Sequence, residues 1–232
     1  MNNNDKTPHC DEGQCELCNM RTTVLFAGIE QELLRRIQHD IEERHIPRGK
    51  TMYHMGEPGR SIFTVRQGLV KLLQYLPDGG ERIVRLVRST DVTGLEALVG
   101  QPYQHDAVVE QDAVVCRIPL DVVRRLEGES PQLYRELMRR WQQALSEADA
   151  WLTELGTGNS RQRVARLLLR ITNEAGDGLC SLFSRKDMGA MLGITTESAS
   201  RVVAEFKRSG LLQDGAGTFH CDRDALEEIA SE

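Results

Sequence analysis

The chain has 232 residues, 40% of them hydrophobic and 28% charged, with a formal net charge of −6. That length suffices for two compact domains and a connecting element. No apolar run approaches the roughly 18 residues that suggest a membrane span, and the polar opening MNNNDKTPHC lacks the apolar core of a secretory signal, so a cytoplasmic protein is expected.

In chain order, residues 1–23 form a polar segment that carries Cys10, Cys15 and Cys18. Apolar Leu33, Leu34, Ile37 and Ile41 then fit one face of a helix that opens a domain spanning 24–129. From 46 to 119 the pattern changes to short alternating or apolar runs separated by glycines at 49, 56, 59, 68, 79–80, 94 and 100, the rhythm of a β-sandwich or barrel. Residues 61–66 and 69–75 predict strands, and Pro77-Asp78-Gly79-Gly80 predicts a turn into a further strand at 81–87.

Ser130 and Pro131 suit the N-cap and first residue of a helix that runs to about residue 155. Its Tyr134, Met138, Trp141, Leu145, Ala148, Leu152 and Leu155 follow alternating spacings of four and three, an a/d seam sustained over about three heptads. A seam of this kind needs a partner helix, so 130–157 reads as a dimerisation helix. Another face of the same helix can pack on the preceding domain. Gly156-Thr157-Gly158-Asn159-Ser160 is a hinge, and 158–232 a further domain that opens with a helix over 161–172.

Within 184–212 two short helices flank a glycine turn. Ser184 stands as an N-cap, and Met188, Met191 and Leu192 recur at helical spacing until Gly193 breaks the helix. Thr195 or Thr196 caps the second helix, whose buried stripe is Ala199, Val202, Val203 and Phe206, and Gly210 closes the element. This is a helix-turn-helix, followed to Cys221 by a small hairpin wing and then a terminal helix.

In this motif the N-terminal end of the second helix enters the DNA major groove. Thr196, Glu197, Ser200 and Arg201 occupy that end. A carboxylate accepts from cytosine N4, and an arginine fork donates to guanine O6 and N7, each good pair contributing roughly 1–3 kcal/mol of discrimination. The same spacing of Glu197 and Arg201 also suits an exposed i,i+4 ion pair worth a few tenths of a kcal/mol. Lys207, further along, suits a phosphate contact. Residues 161–211 hold nine Lys or Arg against five acids, a local charge of +4 beside −10 elsewhere, and the local field matters more to nucleic-acid binding than the total.

In a cytoplasmic protein six cysteines do not read as a disulfide framework. Cys10-x4-Cys15-x2-Cys18 puts three thiolates on one short segment, enough for three corners of a cubane cluster or three positions of a zinc tetrahedron. A fourth ligand is needed, and Cys116 is the candidate. By alternation it shares a face with Val114 and Ile118, so its default role is a small buried hydrophobe. Cys180 and Cys221 have no spaced partners and read as structural. An enzyme using Cys15 and Cys18 as a redox pair would place them at the start of a helix beside a βαβ unit, which the flanking residues do not provide. Phosphate-cradling glycine loops and nucleophile elbows are also missing, so no enzyme is expected.

The run LGITTESASRVVAEFKRSGLL resembles the recognition motif of the Crp/Fnr regulators, and Glu197, Ser200 and Arg201 in the form E-x-x-S-R resemble its FNR branch. RGKTMYHMGEPGRSIFTVRQGLVKLL is similar to the cyclic-nucleotide-binding β-roll of the same family. The resemblance implies an α+β fold: an N-terminal β-roll sensor domain, a long dimerisation helix and a C-terminal winged helix-turn-helix. The partners it implies are double-stranded DNA carrying an inverted repeat of TTGAT-like half-sites, a second copy of the chain, and RNA polymerase, with no membrane.

The ligand cassette of such a roll would be GLEALVGQPYQHDAVV, in which Gly94 and Glu96 match the nucleotide-binding pattern. Gln104, His105 and Asp106 stand where the Arg-Ser or Arg-Thr pair would hold a cyclic phosphate, so no cyclic nucleotide is expected. VVCRIPLDVV resembles the segment around the internal cluster-binding cysteine of FNR proteins, and with the N-terminal trio it implies an oxygen-labile [4Fe-4S] cluster on Cys10, Cys15, Cys18 and Cys116. The x4 and x2 gaps differ from the short-then-long arrangement of FNR proteins. Ala148 stands where the resemblance places an acidic residue, leaving no charge there to resist pairing. Other inputs compatible with the residues are zinc at the same cysteines, thiol oxidation, or haem held through His39, His54 or His105.

Overall fold

A computed structural model describes residues 32, 36–127, 129–175, 179–180, 182–214 and 218–231. Cys10, Cys15, Cys18, Leu33 and Leu34 therefore lie outside the described residues. The chain forms two compact units, one from residues up to Gln74 together with Arg85–Leu145, the other from Tyr75–Val84 and Ser146–Glu232.

The first unit is built on a six-stranded sheet. Its strands are β1 (Glu42–Ile46), β2 (Thr51–Tyr53), β3 (Ser61–Tyr75), β4 (Glu81–Val87), β5 (Val92–Thr93) and β6 (Asp106–Pro119). The order is β1-β6-β3-β4, with β2 also on β6 and β5 also on β3. The two long strands β3 and β6 form the spine, paired antiparallel from Ser61 opposite Pro119 to Leu73 opposite Asp106. Their inward β-branched and aliphatic residues make the core: Ile62, Val65, Val70, Val115 and Ile118 are all fully buried.

One expectation is corrected here. The segments 61–66 and 69–75 are a single strand, because Gly68 at φ +88 forms a bulge where the register shifts instead of a turn. A side chain at Gly68 would run into the Asp112 carbonyl on β6, so the strands approach closely only with glycine there.

Two helices follow β6. The first, α1 (Leu120–Glu127), buries Leu120, Val122, Val123 and Leu126, a short amphipathic element that the sequence reading does not anticipate. The second, α2 (Pro131–Ala150), starts at the proline. Its inner face carries Leu133, Leu137 and Arg140, all buried. Arg140 donates from Nη1 to the Thr90 carbonyl at 3.1 Å and from Nε to Glu136 at 2.7 Å, clipping the helix to the turn between β4 and β5.

The second unit holds α3 (Ser160–Ala175), α4 (Arg185–Leu192), α5 (Thr196–Arg208) and α6 (Arg223–Ser231), with a small antiparallel sheet of β7 (Leu179–Cys180), β9 (Phe219–Cys221) and β8 (Leu212–Asp214). Val164, Leu168, Met188, Leu192, Val203, Phe206 and Leu226 form its core. One wide π-type turn, Trp151–Leu155, follows α2. It buries Trp151 and Leu155 in this unit, where Trp151 donates from Nε1 to the Met191 carbonyl at 3.4 Å and Arg170 lies 5.7 Å above its ring.

Candidate nucleic-acid interface and sensor face

The helix-turn-helix is formed by local chemistry. Ser184 caps α4 by accepting from the Asp187 amide at 3.0 Å, and its hydroxyl donates in return to the Asp187 carboxylate at 2.5 Å. Gly193, at φ +63, ends α4 in the left-handed conformation that a Cβ disfavours. Thr195 then caps α5 by accepting from the Ser198 amide at 3.2 Å. Ala199, Val202, Val203 and Phe206 face inward as the periodicity predicts, all buried.

The opposite face of α5 presents Thr196, Glu197, Ser200 and Arg201 to solvent. Arg201 is steadied by Ser198, whose hydroxyl accepts from Nη2 at 3.2 Å. Sequence reasoning missed this partner, although its i,i−3 spacing was available. The backbone amide of Glu197 and the Thr195 hydroxyl hold the Glu197 carboxyl below the usual carboxylate range. At neutral pH this end of the helix therefore offers an ionised acceptor, two hydroxyls and a guanidinium fork side by side.

Five of the basic residues of 161–211 are engaged within their own unit. On α3, Arg161 pairs with Glu205 at 3.0 Å, and Arg163 donates to the Leu192 carbonyl at 3.0 Å. Arg166 donates to Ala230 and Thr157 carbonyls at 2.8 and 2.9 Å, and Arg170 pairs with Glu154 at 3.3 Å. These arginines hold the unit together. In the free chain Lys207 turns toward the wing: its ammonium pairs with Asp214 at 3.1 Å and sits 4.3 Å above the Phe219 ring.

Along α2 the seam residues Tyr134, Met138, Trp141 and Leu145 are 52%, 48%, 36% and 58% exposed, an apolar row opposite the inner face. Ala148 is half-buried, and Leu152 is 70% exposed. Leu155 departs from the seam, being fully buried within its own unit. The reason is the π-type turn, which takes more residues per revolution than the 3.5 of a heptad and rotates Leu155 off the face.

In the first unit the cassette forms a short 3₁₀ helix, Leu95–Val99. Tyr53 stacks on both Phe63 and Tyr103, with ring centroids 5.4 and 4.0 Å away, those two rings being themselves 6.3 Å apart, and its hydroxyl meets Thr93 Oγ1 at 2.6 Å. Asp106 is buried and accepts from the Met55 amide at 2.6 Å, with His54 Nδ1 at 3.2 Å. Burial lowers the His105 pKa, favouring the neutral ring. Neither the buried Asp106 nor the imidazole of His105 offers a cation to a phosphate at these two positions.

Cys116 lies in the middle of β6 and is 1% exposed. It stands opposite Glu43 on β1 and Thr64 on β3. Glu43 is taken up by Arg66 and by His45 at 3.3 Å, while the buried Thr64 hydroxyl has no hydrogen-bond partner among the described residues. The neighbouring carboxylate is thus neutralised, which suits a thiolate at Cys116, while the Thr64 hydroxyl makes no hydrogen bond to the sulfur. Among the described residues no group of three His, Cys, Asp or Glu side chains is placed to hold a metal ion; Cys10, Cys15 and Cys18 lie outside them. No described helix is long and apolar enough to cross a membrane.

Comparison with known proteins agrees with both units. Residues 43–129 match the cyclic nucleotide-binding domain family and residues 162–229 the Crp-like helix-turn-helix domain family. The chain is 27% identical over 206 residues to electron transport regulator A of Shewanella oneidensis, covering 86% of this chain and 82% of that protein. It is 24% identical over 224 residues to the fumarate and nitrate reduction regulatory protein of Escherichia coli K12, covering 93% and 90%. Among solved structures it is similar to FixK2 from Bradyrhizobium japonicum, with 27% identity, a TM-score of 0.73 and coverage of 82% and 96%. A transcriptional regulator of the CRP family from Thermus thermophilus matches with 26% identity, a TM-score of 0.71 and coverage of 82% and 97%. A roll carrying the first family's pattern and a helix-turn-helix carrying the second's, in one chain with such relatives, are those of a DNA-binding transcription regulator and not an enzyme: the chain belongs to the Crp/Fnr family.

Proposed function

We propose that the chain is a cytoplasmic homodimeric regulator of the FNR-like branch that reads an inverted repeat of TTGAT-like half-sites. Its input in this reading is oxygen or nitric oxide, sensed through a [4Fe-4S] cluster on Cys10, Cys15, Cys18 and Cys116, and RNA polymerase is its downstream partner. The observation that carries the reading half is the joint exposure of Thr196, Glu197, Ser200 and Arg201 at the N-terminal end of α5. An exposed apolar seam on α2 supports pairing of two copies, and a two-fold dimer presents two recognition helices to two inverted half-sites.

The relatives named for electron transport and for fumarate and nitrate reduction support a redox input. When bound, the cluster supplies an oxidant-sensitive tie between the N-terminal segment and the sheet. Cys116 anchors that tie on a rigid strand, and β6 leads directly through α1 to the seam-bearing α2. Arg140 holds α2 to the same sheet unit. Release of the tie then changes how α2 is presented to its partner.

The test is protein purified without oxygen, measured by visible absorption, iron and sulfide analysis, and a mobility shift on inverted-repeat DNA, all repeated after brief exposure to air. The expected result is a broad thiolate-to-iron band with about four irons per chain, bleached in air together with loss of DNA binding. A colourless protein carrying zinc, a haem spectrum, or equal DNA binding before and after air refutes the cluster-sensing reading. Equal affinity for operator and unrelated DNA refutes the sequence-reading half.

A further inference from the structure

We propose that Ser198 is a positioning residue for DNA reading: its hydroxyl, backed by Thr195, holds the Arg201 guanidinium in the direction from which it reads a base, and so sets the preference at one base pair. The inference rests on the DNA-reading half of the function proposed above. Thr195, Ser198 and Arg201 stand three apart, so they follow one another along one side of the first two turns of α5. Thr195 Oγ1 accepts from the Ser198 amide at 3.2 Å and donates to Ser198 Oγ at 3.1 Å. Ser198 Oγ accepts in turn from Arg201 Nη2 at 3.2 Å.

The two ends of this hydrogen-bonded row differ in freedom. Thr195 is fixed by its place as the N-cap: its backbone is extended, at φ −72 and ψ 156, and its carbonyl accepts from the Ala199 amide at 3.0 Å. Ser198 is half-buried one turn on, whereas Arg201 is exposed. The direction of the last bond is settled, because a guanidinium only donates. The Glu197 carboxylate is a second taker for the Thr195 proton, but Ser198 remains an acceptor for Arg201 wherever that proton points. The hydroxyls thus pass the fixed position of the cap to a long side chain that otherwise samples many rotamers.

A hydroxyl is the kind of partner that base reading allows. A carboxylate at this position would offset the positive charge; the serine oxygen leaves it in place and takes one of five N–H donors, so a complete two-donor edge remains for guanine O6 and N7. Held in one direction, the fork meets a guanine with part of its ordering already done. Where the guanine is absent, it reaches another partner only by giving up the Ser198 bond. The gain is therefore confined to the base pair that Arg201 reads.

The test uses the full chain purified without oxygen, as wild type, Ser198→Ala, Ser198→Thr, Arg201→Ala and the double variant Ser198→Ala with Arg201→Ala, each shown to be folded by its thermal melt. Competition mobility shifts are run on duplexes carrying the TTGAT-like inverted repeat and on versions with each base pair of the half-site replaced in turn. Arg201→Ala first identifies the base pair that Arg201 reads. Ser198→Ala is expected to lower the preference at that pair about three- to tenfold, the scale of ordering one side chain, and to leave the other pairs unchanged. Ser198→Thr, which keeps the hydroxyl, is expected to match wild type, and Ser198→Ala is expected to add nothing at that pair once Arg201 is alanine. A wild-type preference in Ser198→Ala, an equal loss on every sequence, or the same loss with and without Arg201 overturns the inference. Wild type that binds the repeat no better than unrelated DNA, or an Arg201→Ala variant with no base-specific loss, refutes the DNA-reading half itself, a failure visible before Ser198 is changed.

Discussion

Replacement of Leu145 by alanine tests the pairing face and its length together. Full burial of a leucine contributes about 1.5–3 kcal/mol, and Leu145 is 58% exposed in the single chain. About half of that contribution therefore remains to be gained on association. A two-fold interface uses the residue twice, so Leu145→Ala is expected to cost about 1.5–3 kcal/mol of dimer stability, a rise of roughly 12–150-fold in Kd. Sedimentation velocity across a concentration series measures it. Leu155→Ala is the control. That side chain is fully buried in its own unit, so its loss should cost about 2–5 kcal/mol of folding stability and lower the thermal transition. A Kd for Leu145→Ala within about threefold of wild type refutes the reasoning. So does a Leu155→Ala variant that melts normally while dimerising as poorly as Leu145→Ala, because the seam would then continue through the π-type turn.

Two further predictions concern the DNA-facing helix. Arg201→Ala should lose about 1–3 kcal/mol of preference at one base pair while leaving binding to unrelated DNA little changed, whereas Lys207→Ala should loosen the wing, releasing Asp214 and Phe219, and weaken all DNA alike. Competition mobility shifts separate them, and an equal loss on every sequence for Arg201→Ala excludes base reading. Glu197, its pKa held down by its own amide and Thr195, stays ionised until pH falls through that depressed value, below the ordinary carboxylate range. The discrimination gap between wild type and Glu197→Gln should therefore be the same at about pH 8 and pH 5.5; closure of the gap at the lower pH refutes it.

The helix-turn-helix was legible because its signals are local. Ser184, Gly193 and Thr195 act on backbone groups within three or four residues, and the stripe of Ala199, Val202, Val203 and Phe206 repeats with the helix period. The exposed side chains of α5 followed by subtraction. The long strand β3 was not legible as one element, because Gly68 signals either a turn or a bulge and only the approach of β6 decides which.

Charge counting placed nine cations in 161–211 but could not say where they point. Arg161, Arg163, Arg166 and Arg170 face carbonyls and carboxylates contributed by residues as distant in sequence as Glu205 and Ala230. Lys207 likewise found Asp214 and Phe219 only once the wing folded back on α5.

By itself the sequence determined what depends on near neighbours: the caps, the turn glycine, the apolar periodicities and the proline start of α2. Tertiary structure alone decided what depends on which distant groups meet. It put Leu155 into the second unit's core, tied the α3 arginines to distant partners within that unit, and set Thr64 across from Cys116. The physical reason is range: capping and periodicity act over one or two turns of chain, while burial and strand register join residues 52 positions apart, as they do Thr64 and Cys116.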